Sequence, residues 1–115
     1  MTSPTIASHF EKTSSEVRAT YDALLAAARA LGPVREEAKK TSIHLVRTTA
    51  FAGVATRRNT LKLTLKASHR VESPRIHRAE RTSANRWHFE IRLKGPDDVD
   101  AELRQWLSQA YDLAG

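Results

Sequence analysis

The sequence predicts an α+β fold: a single domain in which an antiparallel four- to five-stranded sheet carries two long helices, N- and C-terminal, on one face. Apolar residues recur at helical spacing near both ends of the chain. Between Val34 and Lys94 they instead alternate with polar residues, which is typical of strands with one buried and one solvated face. A chain of 115 residues is long enough for one core and too short for two, so residues 1–115 are expected to form one domain.

The first long helix is predicted from its two ends and its apolar face. Thr13 and Glu16 stand at the spacing of a capping box, which satisfies backbone N–H groups of a first turn. Gly32, followed by proline, predicts the stop, because glycine accepts a left-handed conformation and proline cannot continue a helix. Upstream, Ile6 and Phe10 lie one turn apart and predict a short N-terminal helix. The apolar face comprises Val17, Tyr21, Leu24, Leu25, Ala28 and Leu31.

Four strands are predicted where apolar residues alternate. These are TSIHLVRT, AFAGVAT, LKLTLK and WHFEIRL. A hairpin turn is expected at Arg58–Asn59, because asparagine tolerates positive φ. The stretch SHRVESPRIHRAERTSAN has weak periodicity. It is compatible with a loop, with a turn of helix around Pro74, and with a further strand near Arg78–Arg81.

The last helix is predicted in GPDDVDAELRQWLSQAYDLAG. Asp97 or Asp98 is expected to cap it, since aspartate is a favoured N-cap residue. Its core stripe comprises Val99, Leu103, Trp106, Leu107 and Ala110. With helices at both ends of an antiparallel run, the order of elements gives the α+β class.

Positive charge is concentrated in the middle of the chain. Residues 35–94 hold 15 of the 19 Lys and Arg residues but 5 of the 13 Asp and Glu residues. If both helices cover the apolar face, the open face presents polar groups that meet phosphates through their charges: His44, Lys62, Thr64, Lys66, His88, Glu90 and Arg92. No aromatic residue is predicted there, so base stacking is not expected. Nonspecific contact with a nucleic-acid backbone is one interpretation, and a solvated face that limits edge pairing is the other.

Further candidate contacts for an anion or nucleic acid lie at the ends of the strands. Lys39 and Lys40 precede the first predicted strand, and Arg57 and Arg58 lie at the predicted hairpin tip. Three arginines at spacings of three line up if their segment is helical: Arg75, Arg78 and Arg81. Arg86 opens the last strand. Each cation alone is typical of an ordinary surface, so only convergence of these side chains indicates a site.

Several chemistries have no support in the sequence. The absence of cysteine excludes disulfides, thiolate catalysis and iron–sulfur clusters, and it fits a reducing cytoplasm. The five histidines show no metal-ligand spacing, and the four glycines form no phosphate loop. No apolar run approaches the ~20 residues that span a bilayer, and the first residues lack secretory-signal features. The expectation is a cytoplasmic, non-enzymatic protein with no catalytic, metal or cofactor site and no membrane partner.

Six stretches together resemble a bacterial family known as domain of unknown function 5655. In order they are VRATYDALLAAARALGPV, KKTSIHLVRTTAFAGV, LKLTLK, SPRIHRAE, SANRWHFEIRL and DVDAELRQWLSQAY, within residues 14–112. The resemblance implies a small stand-alone or appended bacterial domain and supplies no catalytic residue set. Its most recognisable part implies a candidate site at Lys39, Lys40, Thr41, His44, Phe51 and Gly53. Arg57 and Arg58 depart from relatives, which carry an acidic residue or glycine near this turn.

Three hypotheses of function follow. The first is a binding module whose basic surface contacts an anionic partner, most plausibly nucleic acid. The second is a protein-interaction or self-association domain that uses an apolar patch or an unprotected edge strand. The third is a small-molecule or hydrolytic site around Lys39, Lys40 and His44.

Overall fold

The computed structural model describes residues 3–115, which form two α-helices, two short 3₁₀ turns and six strands. The helices are α1 (Ser15–Arg29) and α2 (Ala101–Leu113). The strands are β1 (Arg35–Ala38), β2 (Ile43–Val46), β3 (Ala50–Thr56), β4 (Leu61–Ala67), β5 (Ile76–Ser83) and β6 (Arg86–Leu93). The short N-terminal helix is a 3₁₀ turn, Ala7–Phe10, and a second 3₁₀ turn, Pro96–Asp98, precedes α2.

All six strands belong to one antiparallel sheet in the order β1-β2-β3-β4-β6-β5. The predicted number of four to five strands is therefore too low. The additional strand is β1, whose sequence REEA has no apolar alternation. It forms through its backbone ladder with β2 and a tight turn in which Lys39 N–H donates to the Ser42 carbonyl at 2.7 Å. The segment left open by the sequence contains β5, so its predicted strand is confirmed.

Both helices pack on one face of the sheet, as predicted, and the core lies between the two layers. Leu61, Leu63 and Leu65 of β4 are fully buried on this side. The Phe89 ring of β6 meets the Trp106 ring of α2 edge-on, with centroids 5.6 Å apart. Trp87, predicted to point inward, lies on the same side but is only half-buried.

A β-bulge in β3 turns the side chain of Phe51 toward the helices. Leu45 pairs with Ala52 whereas Val46 pairs with Ala50, so Phe51 is the extra residue on β3. Its ring is 1% exposed and lies edge-on to Tyr111 of α2, with centroids 5.3 Å apart. The bulge thus adds Phe51 to the core while the following residues keep strict alternation.

The predicted helix caps are wrong at both helices. Ser14, not Thr13, is the N-cap of α1, and its side chain accepts no capping hydrogen bond. The Thr13 hydroxyl instead donates to the Phe10 carbonyl at 3.1 Å. Asp100 caps α2 by accepting from Leu103 N–H at 3.0 Å, because Asp97 and Asp98 are taken up in the preceding 3₁₀ turn.

Two turns test the predicted backbone conformations. The β3–β4 hairpin does turn at Arg58–Asn59, where Arg57 N–H donates to the Thr60 carbonyl at 2.8 Å. The positive φ expected of Asn59 is not found, and among residues 3–115 only Gly32 has one, at +152°.

A Cβ on Gly32 would overlap the hydroxyl of Tyr111, which donates to the Pro33 carbonyl at 3.1 Å. Gly32 is therefore required by both its backbone and its packing.

Candidate functional site

The side of the sheet opposite the helices presents polar and small side chains from five strands. Strand pairing places His44, Gly53, Thr64, Glu90 and Arg78 in one row across β2–β3–β4–β6–β5. Neighbouring rows follow from the same register, because alternate residues of a strand share a face. We define the open face by these residues: His44, Gly53, Ala55, Lys62, Thr64, Lys66, Arg78, Glu80, Arg86, His88, Glu90 and Arg92. All seven open-face residues predicted from alternation are among them.

A groove of about 710 Å³ runs along the open face over β3 and β4. Its floor includes the small residues Gly53 and Ala55 of β3 and Thr64 of β4, with Gly53 directly opposite Thr64 in the ladder. Longer polar side chains border these three positions: His44, Arg57, Lys62, Lys66 and His88. The floor of the groove therefore has only small side chains, and its border is basic.

Lys66 is a groove cation without a carboxylate partner in the part of the chain that the structure describes. Its ammonium donates to the Thr49 hydroxyl at 3.1 Å and makes no ion pair with any carboxylate in residues 3–115. Burial lowers the pKa of Lys66, and the nearby Arg86 charge lowers that pKa further. A bound anion would offset both effects.

Of the other open-face cations, Lys62 and Arg78 each have a carboxylate partner, whereas Arg86 and Arg92 have none within residues 3–115. Lys62 Nζ lies 3.8 Å from Glu90 Oε1, and Arg78 lies 3.6 Å from Glu80 across two exposed side chains. Arg92 has no carboxylate partner within residues 3–115 and instead lies 3.3 Å from His77 Nε2. The Arg78–Glu80 pair is exposed and contributes little to stability, so it yields readily to a competing anion, whereas the Lys62–Glu90 pair is partly buried.

The structure separates the predicted candidates into two groups. It brings His44, Arg57, Lys62, Lys66 and His88 around the groove, with Arg78, Arg86 and Arg92 elsewhere on the open face. The other five lie apart. Lys39 and Lys40 occupy the β1–β2 turn, where Lys39 pairs with Glu37 at 3.3 Å, and Arg58 borders a separate depression of about 850 Å³.

Arg75 and Arg81 do not join the groove. The condition for their alignment with Arg78 fails, because the segment is strand and not helix. Bulges at both ends of β5 set its register, which places Arg81 opposite Trp87, on the helix side of the sheet. Arg75 donates to Asp100 at 2.9 Å, to Glu102 at 3.1 Å and to a backbone carbonyl at 2.8 Å.

Several groove residues escaped the site prediction. Thr41 and Ser42 border the groove, and Thr49 accepts from Lys66. Thr41 is named by the family resemblance, whereas nothing in the sequence marks Ser42 or Thr49. They reach the site only because the β1–β2 and β2–β3 turns bring them there. In residues 3–115 no group of three or more His, Asp or Glu side chains is arranged to hold a metal ion.

Comparisons with known proteins give one family match. The model of the family described as Domain of unknown function (DUF5655) matches residues 6–114, nearly the whole chain. A search of the curated proteins and a search of the solved structures each found no match. Within residues 3–115 no helix has the length and apolar character to cross a membrane.

Proposed function

The chain belongs to the DUF5655 family, and we propose that it is a non-enzymatic binding module whose open face contacts the phosphates of nucleic acid. The observation that carries the proposal is the convergence of cations from β4, β5 and β6 on one side of the sheet, where a groove is bordered by Lys62 and Lys66. Five Lys and Arg side chains of the open face stand against two carboxylates, Glu80 and Glu90. On the same side at the sheet edge, Glu37 is paired with Arg35 and Lys39.

The chemistry of the open face favours backbone contact over base readout. Lysine and arginine bind phosphate through charge and through paired N–H donors. Proteins that recognise unpaired bases stack them on exposed aromatic rings. The open face carries no aromatic ring, since the Phe51 ring is buried against Tyr111 and Trp87 lies on the opposite side. Binding is therefore expected to be tolerant of sequence and sensitive to salt.

A protein-interaction or self-association domain is the second candidate, because β5 is an edge strand of eight residues. Its exposed charges, Arg78, Glu80 and Arg81, are of the kind that discourages pairing with another strand. A small-molecule or hydrolytic site at Lys39, Lys40 and His44 is a weaker candidate, because only His44 borders the groove. Light scattering separates the second candidate, since a protein that stays monomeric at high concentration does not self-associate.

The proposal is tested by measuring nucleic-acid affinity against salt concentration. Each phosphate contact contributes about 0.7 to the slope of log K against log salt for single strands and about 0.9 for duplex DNA. We expect the double variant Lys66→Ala/Arg86→Ala to lower affinity about tenfold at low salt and to reduce the slope by about 1 to 2. Fluorescence anisotropy with a labelled oligonucleotide measures both quantities.

A matched control removes the same charge elsewhere. Lys12→Gln/Arg104→Gln lowers the net charge equally but lies off the open face, so its slope should stay near that of the unsubstituted protein. If the unsubstituted protein binds neither single-stranded nor duplex nucleic acid at low salt, the proposal is wrong. Equal losses in the two double variants would also overturn it, since they would indicate a net-charge effect and not a site.

A further inference from the structure

The fold gives no reason for a glycine at position 53. Gly53 lies within β3 and does not have a positive φ. A Cβ built there would meet one atom within 4 Å, the Cβ of Thr64, at an ordinary contact distance of 3.9 Å. A strand glycine is less stable than alanine, because it loses more conformational freedom on folding and leaves nothing to pack. Contacts within the chain therefore do not account for the absence of a side chain at this position.

The position of Gly53 in the groove indicates why a side chain is absent there. It lies at the floor of the groove, opposite Thr64 and two residues from Ala55 on the same face. Together these residues expose flat backbone between the basic side chains of β4 on one side and His44 on the other. Strand glycines commonly mark the close approach of another group to the backbone.

The volume of the groove is that of a site for a small ligand or for part of an extended one. Its volume of about 710 Å³ lies within the roughly 300–1,000 Å³ typical of sites for single small ligands. Lys62 and Lys66 are four residues apart on one strand, hence about 13 Å apart along the floor. This spacing places one cation at each end of Thr64 and leaves the centre of the groove without charge.

We propose that the groove holds a short unpaired stretch of single-stranded nucleic acid, with one base or sugar flat on the Gly53 backbone and phosphates to either side of it at Lys62 and Lys66. This inference rests on the proposed function and names its partner as single-stranded. The side-chain hydroxyl of Thr64 and the imidazoles of His44 and His88 supply hydrogen-bonding groups at the border. A duplex keeps its bases stacked inside, so it reaches the border cations but not the floor.

The test fills the floor without changing any charge. Gly53→Val places a β-branched side chain in the groove, and valine favours strands. We expect Gly53→Val to lose tenfold or more in affinity for a 12-nucleotide oligodeoxythymidine, with no loss of thermal stability. Affinity for a 12-base-pair duplex should change less than twofold. The smaller Gly53→Ala should lose an intermediate amount, which also provides a reading if valine disturbs the fold.

The matched control is Ala79→Val, which adds two methyl groups on the helix side of β5, opposite Phe89 and away from the groove. It should bind oligodeoxythymidine as the unsubstituted protein does. If Gly53→Val also binds normally while Lys66→Ala/Arg86→Ala binds weakly, the inference that the groove floor contacts a nucleotide is wrong. The proposed phosphate-binding function would not be affected by that result. If deoxythymidine monophosphate binds as tightly as the oligonucleotide, the occupant of the groove is a free nucleotide and not a single strand. Equal affinity for duplex and single strand would overturn the inference as well.

Discussion

The two faces of the sheet differ in how completely the protein itself satisfies their side chains. On the helix side, Arg75 reaches three acceptors on the 3₁₀ turn and on α2, and Asp100 both pairs with it and caps the helix. On the open face, Lys66 reaches one hydroxyl and Arg92 one imidazole. A basic residue that the fold leaves without an acidic partner within residues 3–115, such as Lys66, is therefore more available to an external anion than Arg75 is.

The two faces also use glycine and small residues differently. Gly32 follows α1, where its positive φ and the Tyr111 hydroxyl exclude any side chain. Gly53 lies on the open face, where a Cβ has room. The first glycine is explained by folding alone, whereas the second is explained by access to the groove.

The largest expected difference between the faces comes from two adjacent residues of β4. Leu63 is fully buried against the helices, while Thr64 is partly exposed in the groove. We expect Leu63→Ala to lower the free energy of unfolding by about 2–5 kcal/mol, because it removes apolar contacts and leaves a cavity. Thr64→Ala should lower it by less than about 1 kcal/mol, the span of strand propensity. Urea denaturation checks both, and similar losses at the two positions would contradict a one-sided core.

The sequence predicted this one-sidedness because alternation in LKLTLK and WHFEIRL records burial directly. It did not predict β1, since REEA forms a strand through backbone pairing and not through an apolar face. It also predicted Arg75 and Arg81 as candidate contacts together with Arg78. Arg78 and Arg81 are three residues apart in the regular part of β5, so they lie on opposite sides of the sheet, and Arg75 precedes the strand. Which side chains of different β-strands converge depends on the register between those strands, and the residue pattern within one β-strand does not contain that register.

The next largest effect compares the two glycines. Gly32→Ala should lower the free energy of unfolding by about 1–3 kcal/mol, because an L-residue is strained at φ +152° and its Cβ meets Tyr111. Gly53→Ala should raise it by about 0.5–1 kcal/mol, since alanine restricts the unfolded chain and fits the strand. Thermal unfolding followed by circular dichroism measures both. If Gly53→Ala is as destabilising as Gly32→Ala, then folding does require Gly53 and the argument for its role in the groove fails.

The smallest effect concerns the pH dependence of the ion cluster on the helix side. The Leu103 N–H and then the Arg75 guanidinium lower the pKa of the Asp100 carboxyl from its usual value. Because this pKa is lower in the folded protein than in the unfolded chain, the resulting stability is fully present above the unfolded value of about 3.9. It is lost as pH falls through the folded pKa. Asp100→Asn keeps a favoured N-cap residue but not the charge, so its stability should fall less than that of the unsubstituted protein as the solution is acidified below about pH 5.

A double-variant cycle shows whether Arg75 is part of that effect. In the Arg75→Ala background, Asp100 still caps α2 but has lost its guanidinium partner, so Asp100→Asn should there change the pH dependence less than it does in the unsubstituted protein. Urea midpoints measured from pH 7 to pH 3 give the four curves. An unchanged effect of Asp100→Asn in the two backgrounds would mean that Arg75 is not held by Asp100 in solution. Arg75 would then be held by Glu102 and the Asp98 carbonyl alone, and its contrast with Lys66, which has no carboxylate partner within residues 3–115, would be smaller.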